Sequence, residues 1–143
     1  MIKTAPILDI SAGILELKNI AEIHIVALEN EVKELLFILN KNHESIIEIK
    51  ATNLLKNKQE TFQFQLNSEA KKTNYVAPKK YLFEPNAAIM KSGGFDEITN
   101  QFEVEKLHQH SHLYTSDELL DFPGRIFEIK KTIQIYKSET YVM

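Results

Sequence analysis

The stretch "TFQFQL" (residues 61–66) repeats apolar character at every second position. Phe62, Phe64 and Leu66 fall on one side and Gln63 and Gln65 on the other, a period that a strand satisfies and a helix does not. A chain built around such a segment needs a sheet with one face in a core. "SIIEIKATNL" (45–54) has the same period, with Ile47, Ile49 and Ala51 set against Glu48 and Lys50. "EIHIVAL" (22–28) is nearly continuous in apolar character and reads as a central strand. Between them, "ENEVKELLFILNK" carries Val32, Leu35, Leu36 and Leu39 at i, i+3, i+4, i+7, with acids at its start and Lys41 at its end. That pattern predicts a helix.

Before these segments, Asp9 or Ser11 can cap a short helix that carries Ile10, Ile14 and Leu17. After them, a lysine-rich loop leads into "YLFEPNAAIMKSGGF" (81–95). There Pro85 fits a first helical turn and Gly93-Gly94 breaks the helix. "KLHQHSHLYTS" reads as another strand, "DFPG" as a turn and "RIFEIKKTIQIY" as a last extended segment. From Glu22 to Ser116 the order is strand, helix, strand, strand, helix, strand. The expected fold is therefore α+β, a ferredoxin-like βαββαβ antiparallel sheet with helices on one face, plus an N-terminal helix and a C-terminal strand. Ile23, Ile25, Ile47, Ile49, Phe62, Phe64 and Leu66 are expected to face the helices, and His24, Lys50, Gln63 and Gln65 the opposite side.

Composition narrows the function classes. With 143 residues and 43% apolar content the chain is long enough to bury a core as one domain. It contains no cysteine, which excludes disulfides, thiolate metal sites and cysteine nucleophiles. Net charge is −3, and the basic residues are sixteen lysines and a single arginine, Arg125. A dedicated nucleic-acid binder carries a basic excess, so an RNA contact here is local or auxiliary, and DNA is not an expected partner. The longest apolar run, "LLFIL", is far short of a membrane span, and the expected location is cytoplasmic. The four glycines form neither a G-x-G-x-x-G nor a P-loop, and no serine stands in a nucleophile elbow.

Three features invite a site. "HQHSH" places His108, His110 and His112 on one side of a strand, where imidazoles could bind zinc or copper; exposed strand histidines are the plainer account, and no metal is assigned. The paired phenylalanines of "TFQFQL" resemble base-stacking aromatics, but their alternation sends them into the core. Glu29, Glu31 and Glu34 cluster where a helix dipole alone would favour them. No catalytic residues emerge.

"APILDIS", "ENEVKELLFIL" and "YLFEPNAAIMKSGGF…LHQHSHLYTS…DFPGRIF" together resemble the C-terminal half of bacterial class I S-adenosylmethionine-dependent methyltransferase-like proteins, especially those of Bacteroidetes. The resemblance implies three regions. Residues 1–20 are the end of a Rossmann-like methyltransferase domain, 21–116 a ferredoxin-like domain, and 117–143 the start of a truncated THUMP-like region. It implies no cofactor site in this chain, S-adenosylmethionine being expected for the parent protein. The function implied is a non-catalytic substrate-recognition module for RNA, either tRNA or rRNA, attached to an upstream methyltransferase domain. The alternative is a regulatory or homodimerising module. RNA contact is expected from Lys79, Lys80, Glu84, Asn86, Lys91, Tyr114 and Arg125, although Glu84 and Asn86 also have sufficient reason as helix caps.

Overall fold

The computed structural model describes residues 1–69 and 73–135; Lys71 and Lys72 of the lysine-rich loop fall outside them, as do residues 136–143 of the C-terminal region. The chain is α+β, built on two sheets that share one core. The first sheet holds β1 (Ile2–Thr4), β2 (Ile20–Leu28), β3 (Glu31–Leu39), β4 (Glu48–Leu54) and β5 (Gln59–Gln65), in the order β1-β3-β2-β4-β5. Helix α1 (Ile10–Glu16) precedes β2, capped by Asp9, whose carboxylate accepts from the Ser11 N–H at 2.9 Å. The second sheet holds β6 (Tyr81–Pro85), β7 (Glu105–Lys106), β8 (Tyr114–Ser116) and β9 (Gly124–Glu128), in the order β7-β8-β6-β9. Between β6 and β7 lie α2 (Ala87–Ser92) and α3 (Phe95–Gln101).

The strands predicted from alternation form where expected, and their inward residues Ile23, Ile25, Ile49 and Phe62 are buried. Phe64 packs against the same core, half-buried. Gly94, at the start of α3, sits on this aromatic pair; a Cβ there would lie 2.5 Å from the Phe64 ring and 3.0 Å from the Phe62 ring. Gly93 ends α2 in the left-handed region at φ 74°, the conformation in which glycine commonly terminates a helix.

The segment predicted as the best helix is a strand. β3 pairs with β2 through a hairpin whose two turn residues, Glu29 and Asn30, both have positive φ, 47° and 64°. This is the backbone of the primed turns that match strand twist. The apolar spacing that resembled a helix has another cause. Val26 faces Glu34 while Ala27 faces Val32, so Lys33 is an extra residue, a β-bulge. The inward positions therefore run 32, 35, 37, 39, a step of three followed by steps of two. In place of a helix crossover, β2–β3 and β4–β5 are hairpins, and β2 and β4 lie side by side in parallel.

The "HQHSH" segment, expected as a strand, is not one. β7 ends at Lys106 and β8 begins at Tyr114, so His108 and His110 lie in the intervening turn and His112 just before β8. The His112 ring stacks on Phe95 with centroids 3.8 Å apart. Among the described residues no group of three histidine or acidic side chains is placed to hold a metal ion. No helix of the described residues is long and apolar enough to cross a membrane. Pro85 also differs from expectation: it closes β6 opposite Gly124 and does not open the helix.

The face of the first sheet away from the helices carries an ion cluster. The Glu22 carboxylate meets His24 Nε2 at 2.6 Å and Lys50 Nζ at 3.1 Å. Hydrogen bonds from His24 and then Lys50 hold the Glu22 pKa below its ordinary value. A carboxylate with a lowered folded pKa stabilises the chain above its unfolded pKa and loses that contribution as pH falls through the folded one. Glu22→Gln should therefore lower stability at neutrality, by less than about 1 kcal/mol for so exposed a cluster, and change little at acid pH, so that the acid limb of a stability–pH curve below pH 4.5 is flatter. Unchanged acid limbs in urea titrations of the two proteins would contradict it.

Candidate functional site

The motifs "FEPNAA" and "DFPGR", 41 residues apart at Glu84 and Arg125, are brought together by the β6–β9 ladder. Glu84 pairs across the strands with Arg125 and Pro85 with Gly124, and the Asn86 N–H donates to the Pro123 carbonyl at 3.1 Å. The Arg125 guanidinium donates to the Glu84 carboxylate at 2.7 Å. Gly124 makes this approach possible, since its neighbour across the ladder is the Glu84 carbonyl itself.

Beneath that junction is a buried polar network. Asn86 caps α2, its Oδ1 accepting from the Ile89 N–H at 3.0 Å. Its Nδ2 donates to Glu60 Oε2 at 2.9 Å, and Asn53 Nδ2 donates to the same oxygen at 3.1 Å. Asn53 Oδ1 accepts from the Asn30 N–H, and Asn30 Oδ1 in turn accepts from the Ala87 N–H at 2.8 Å. The network therefore ties the β2–β3 turn, β4 and β5 of the first sheet to the start of α2. Asn53, Glu60 and Asn86 are all more than nine-tenths buried. Sequence reasoning points to Asn86 alone of these. The signal it misses is parity: Asn53 continues the inward series Ile49, Ala51, and Glu60 continues the series Phe64, Phe62 backwards. Polar residues at core positions need partners.

The second sheet also presents a surface strip. Opposed residues of an antiparallel pair share a face. Leu82 with Phe127 and Glu84 with Arg125 therefore lie on the side opposite buried Phe83. Phe127 is 44% exposed, and the Arg125 guanidinium lies 6.0 Å from its ring centroid. Lys80 is exposed, its ammonium 5.2 Å from the Tyr81 ring centroid.

The other expected contact residues are placed less favourably. Lys79 is paired with Glu105, which raises its pKa. Lys91 lies in the last turn of α2, a helix that packs on β2, β3 and β4 of the first sheet. Asn86 is buried in the network just described. Tyr114 is fully buried, its hydroxyl donating to the Phe95 carbonyl at 2.6 Å, and burial pushes its phenol pKa well above the ordinary value. It offers no surface for stacking. Glu84 and Arg125 thus share the strip with Phe127 and Lys80 lies exposed beside Tyr81, whereas Lys79, Lys91, Asn86 and Tyr114 do not contribute free groups to the strip.

A family model for a ferredoxin-like domain matches residues 81–123, the segment from β6 to the residue before β9. Among solved structures, the chain is similar to a crystal structure described as a "putative methyltransferase" from Porphyromonas gingivalis W83, at 34% identity and a TM-score of 0.84. The match covers 90% of this chain, which spans 34% of the length of that one. No curated protein matches the chain.

Proposed function

We propose that the chain is a substrate-engaging accessory module of an S-adenosylmethionine-dependent methyltransferase, and that its substrate is RNA. The first part is supported by the similarity to the Porphyromonas gingivalis protein along nearly the whole chain. The cofactor and the methyl transfer belong, in this reading, to a separate methyltransferase domain. The second part rests on one observation, the exposed Phe127 with Arg125 against its ring on an open sheet face. Aromatic rings so placed stack on unpaired bases whatever their sequence, and adjacent cations hold the phosphates. The chain's negative net charge keeps such binding weak, roughly in the 10⁻⁶ to 10⁻⁴ M range of non-specific contacts.

Stacking contributes about 1–3 kcal/mol per base, so Phe127→Ala should weaken binding of a single-stranded RNA by roughly five- to a hundred-fold. Changing Lys80 and Arg125 to alanine should lower the logarithmic salt slope by nearly one unit for each phosphate that is no longer neutralised. Fluorescence anisotropy with a labelled RNA at several salt concentrations measures both. Equal affinity and equal slope for wild type and variants would remove the RNA role from this surface and favour a regulatory or dimerising module.

A further inference from the structure

The two sheets end in β1 and β5, and in β7 and β9. Edge strands carry unpaired backbone groups, and natural chains blunt them by shortness, polar side chains or a covering element. β1 has three residues and β7 two. β5 exposes Gln59, Thr61, Gln63 and Gln65, and the Gln63 carbonyl accepts from Gln101 Nε2 at 2.7 Å. β9 has none of these protections. It exposes Ile126 and Phe127, by 38% and 44%, and no strand among the described residues pairs with its outer side. Past it, Ile133 and Ile135, 74% and 88% exposed, continue the alternation of Phe127 and Ile129.

The ladder with β6 shows which backbone groups face outward. The Ile129 N–H donates to the Lys80 carbonyl at 2.8 Å, and the Pro123 carbonyl accepts from the Asn86 N–H at 3.1 Å. Along an antiparallel pair, hydrogen-bonded positions alternate with positions that are not. Arg125 and Phe127 therefore direct their N–H and C=O groups to β6, while Ile126 and Glu128 direct theirs to the open edge. We infer that this edge pairs, antiparallel and about a two-fold axis, with the same edge of a second copy of the chain, Ile129 lying opposite Ile129.

Charge selects both the occupant and the register. Any strand could meet the backbone groups, but a Glu and a Lys set symmetrically about an apolar residue, as in Glu128-Ile129-Lys130, are complementary to themselves. A two-fold axis across an antiparallel pair runs between one residue and its own copy. Centres at Glu128, Lys130 or Lys131 would oppose like charges, which is unfavourable. Centres at Ile126 or Phe127 would leave Ile133 and Ile135 outside the ladder. The centre at Ile129 sets Glu128 opposite the second copy's Lys130, twice by symmetry, and Arg125 opposite Ile133. Phe127 then faces the second copy's Lys131, an ammonium beside an aromatic ring. Glu128 and Lys130 are exposed and already 2.6 Å apart within one chain, so both reach the edge. The inference does not rest on the RNA reading. A two-fold axis through the sheet keeps both strips of Phe127 and Arg125 on one side, because the joint is made by backbone groups.

The test is sedimentation velocity of the full chain over a range of concentrations, with circular dichroism to confirm folding of each variant. Wild type should form a reversible dimer. Ile126→Pro removes an outward N–H without touching a hydrogen bond to β6, and should be monomeric at every concentration. Glu128→Lys and Lys130→Glu should each weaken the dimer roughly ten-fold or more. An equimolar mixture of these two variants should dimerise again, since each then offers the charge that the other opposes.

A wild type that stays monomeric would overturn the inference, as would a dimer that Ile126→Pro leaves intact. A dimer lost in Ile126→Pro but indifferent to both charge reversals would overturn the pairing centred on Ile129. Should Ile126→Pro fail to fold, the two charge variants and their mixture decide the question without it. None of these outcomes depends on whether RNA binds.

Discussion

Gly124→Ala is expected to destabilise the chain by about 3 kcal/mol. Gly124 has φ +156°, a region that L side chains rarely adopt, and its added Cβ would lie 2.0 Å from the Glu84 carbonyl oxygen and 2.9 Å from the Asn86 nitrogen. Both neighbours are backbone, so no rotamer change relieves the contact. The strain falls at the last residue pair of the β6–β9 ladder, beside the hydrogen bond from Asn86 to Pro123 and the Arg125–Glu84 ion pair. Gly93→Ala is the control. It carries a left-handed φ of 74° but has nothing within 4 Å of the added carbon, so it should cost only about 1 kcal/mol. Urea unfolding of the two variants separates backbone preference from lack of space. Similar effects of both would mean that the contact at Gly124 relaxes freely.

Asn86→Ala should cost about as much, about 3 kcal/mol, through two effects at once. The helix cap contributes about 1 kcal/mol. The hydrogen bond to a buried carboxylate contributes about 2 more, because Glu60 Oε2 would keep a single amide donor within a site almost closed to water. The measurement is a double-mutant cycle of Asn86→Ala with Glu60→Gln, read by chemical denaturation. Residues joined in one buried network should show a coupling of roughly 0.5–3 kcal/mol. Additive effects would show that the cap and the carboxylate act independently, and would reduce the Asn86 effect to that of a cap alone.

Both positions lie in motifs that stand out in the sequence, yet neither effect does. "EPNAA" shows a capping residue before a small-residue helix, and "DFPG" shows a turn. Nothing local says that the carbonyl of one motif rests where the other would need a Cβ. That contact depends on a ladder between residues about forty positions apart. The strip is partly legible, because Glu84 and Arg125 are expected contact residues on sequence grounds. Phe127 reads only as part of an extended segment, since a phenylalanine at an exposed edge looks in sequence like one in a core.

Local sequence is enough for the α+β class, for strands β2, β4 and β5, and for the helices after Asp9 and Asn86. In these segments the apolar period is unbroken or the cap is local, so neighbours along the chain carry the information. Long-range pairing sets β3, where the bulge at Lys33 shifts the inward positions into a helical spacing that only the ladder with β2 reveals. It also sets the turn at His108 and His110, where short pairings to β6 and between β7 and β8 override an alternating pattern. The candidate site depends on packing in the same way, because Asn30, Asn53, Glu60, Asn86 and Arg125 come from five separate segments. A buried carboxylate is tolerated only where distant donors converge on it, and that convergence is a property of the packed sheets.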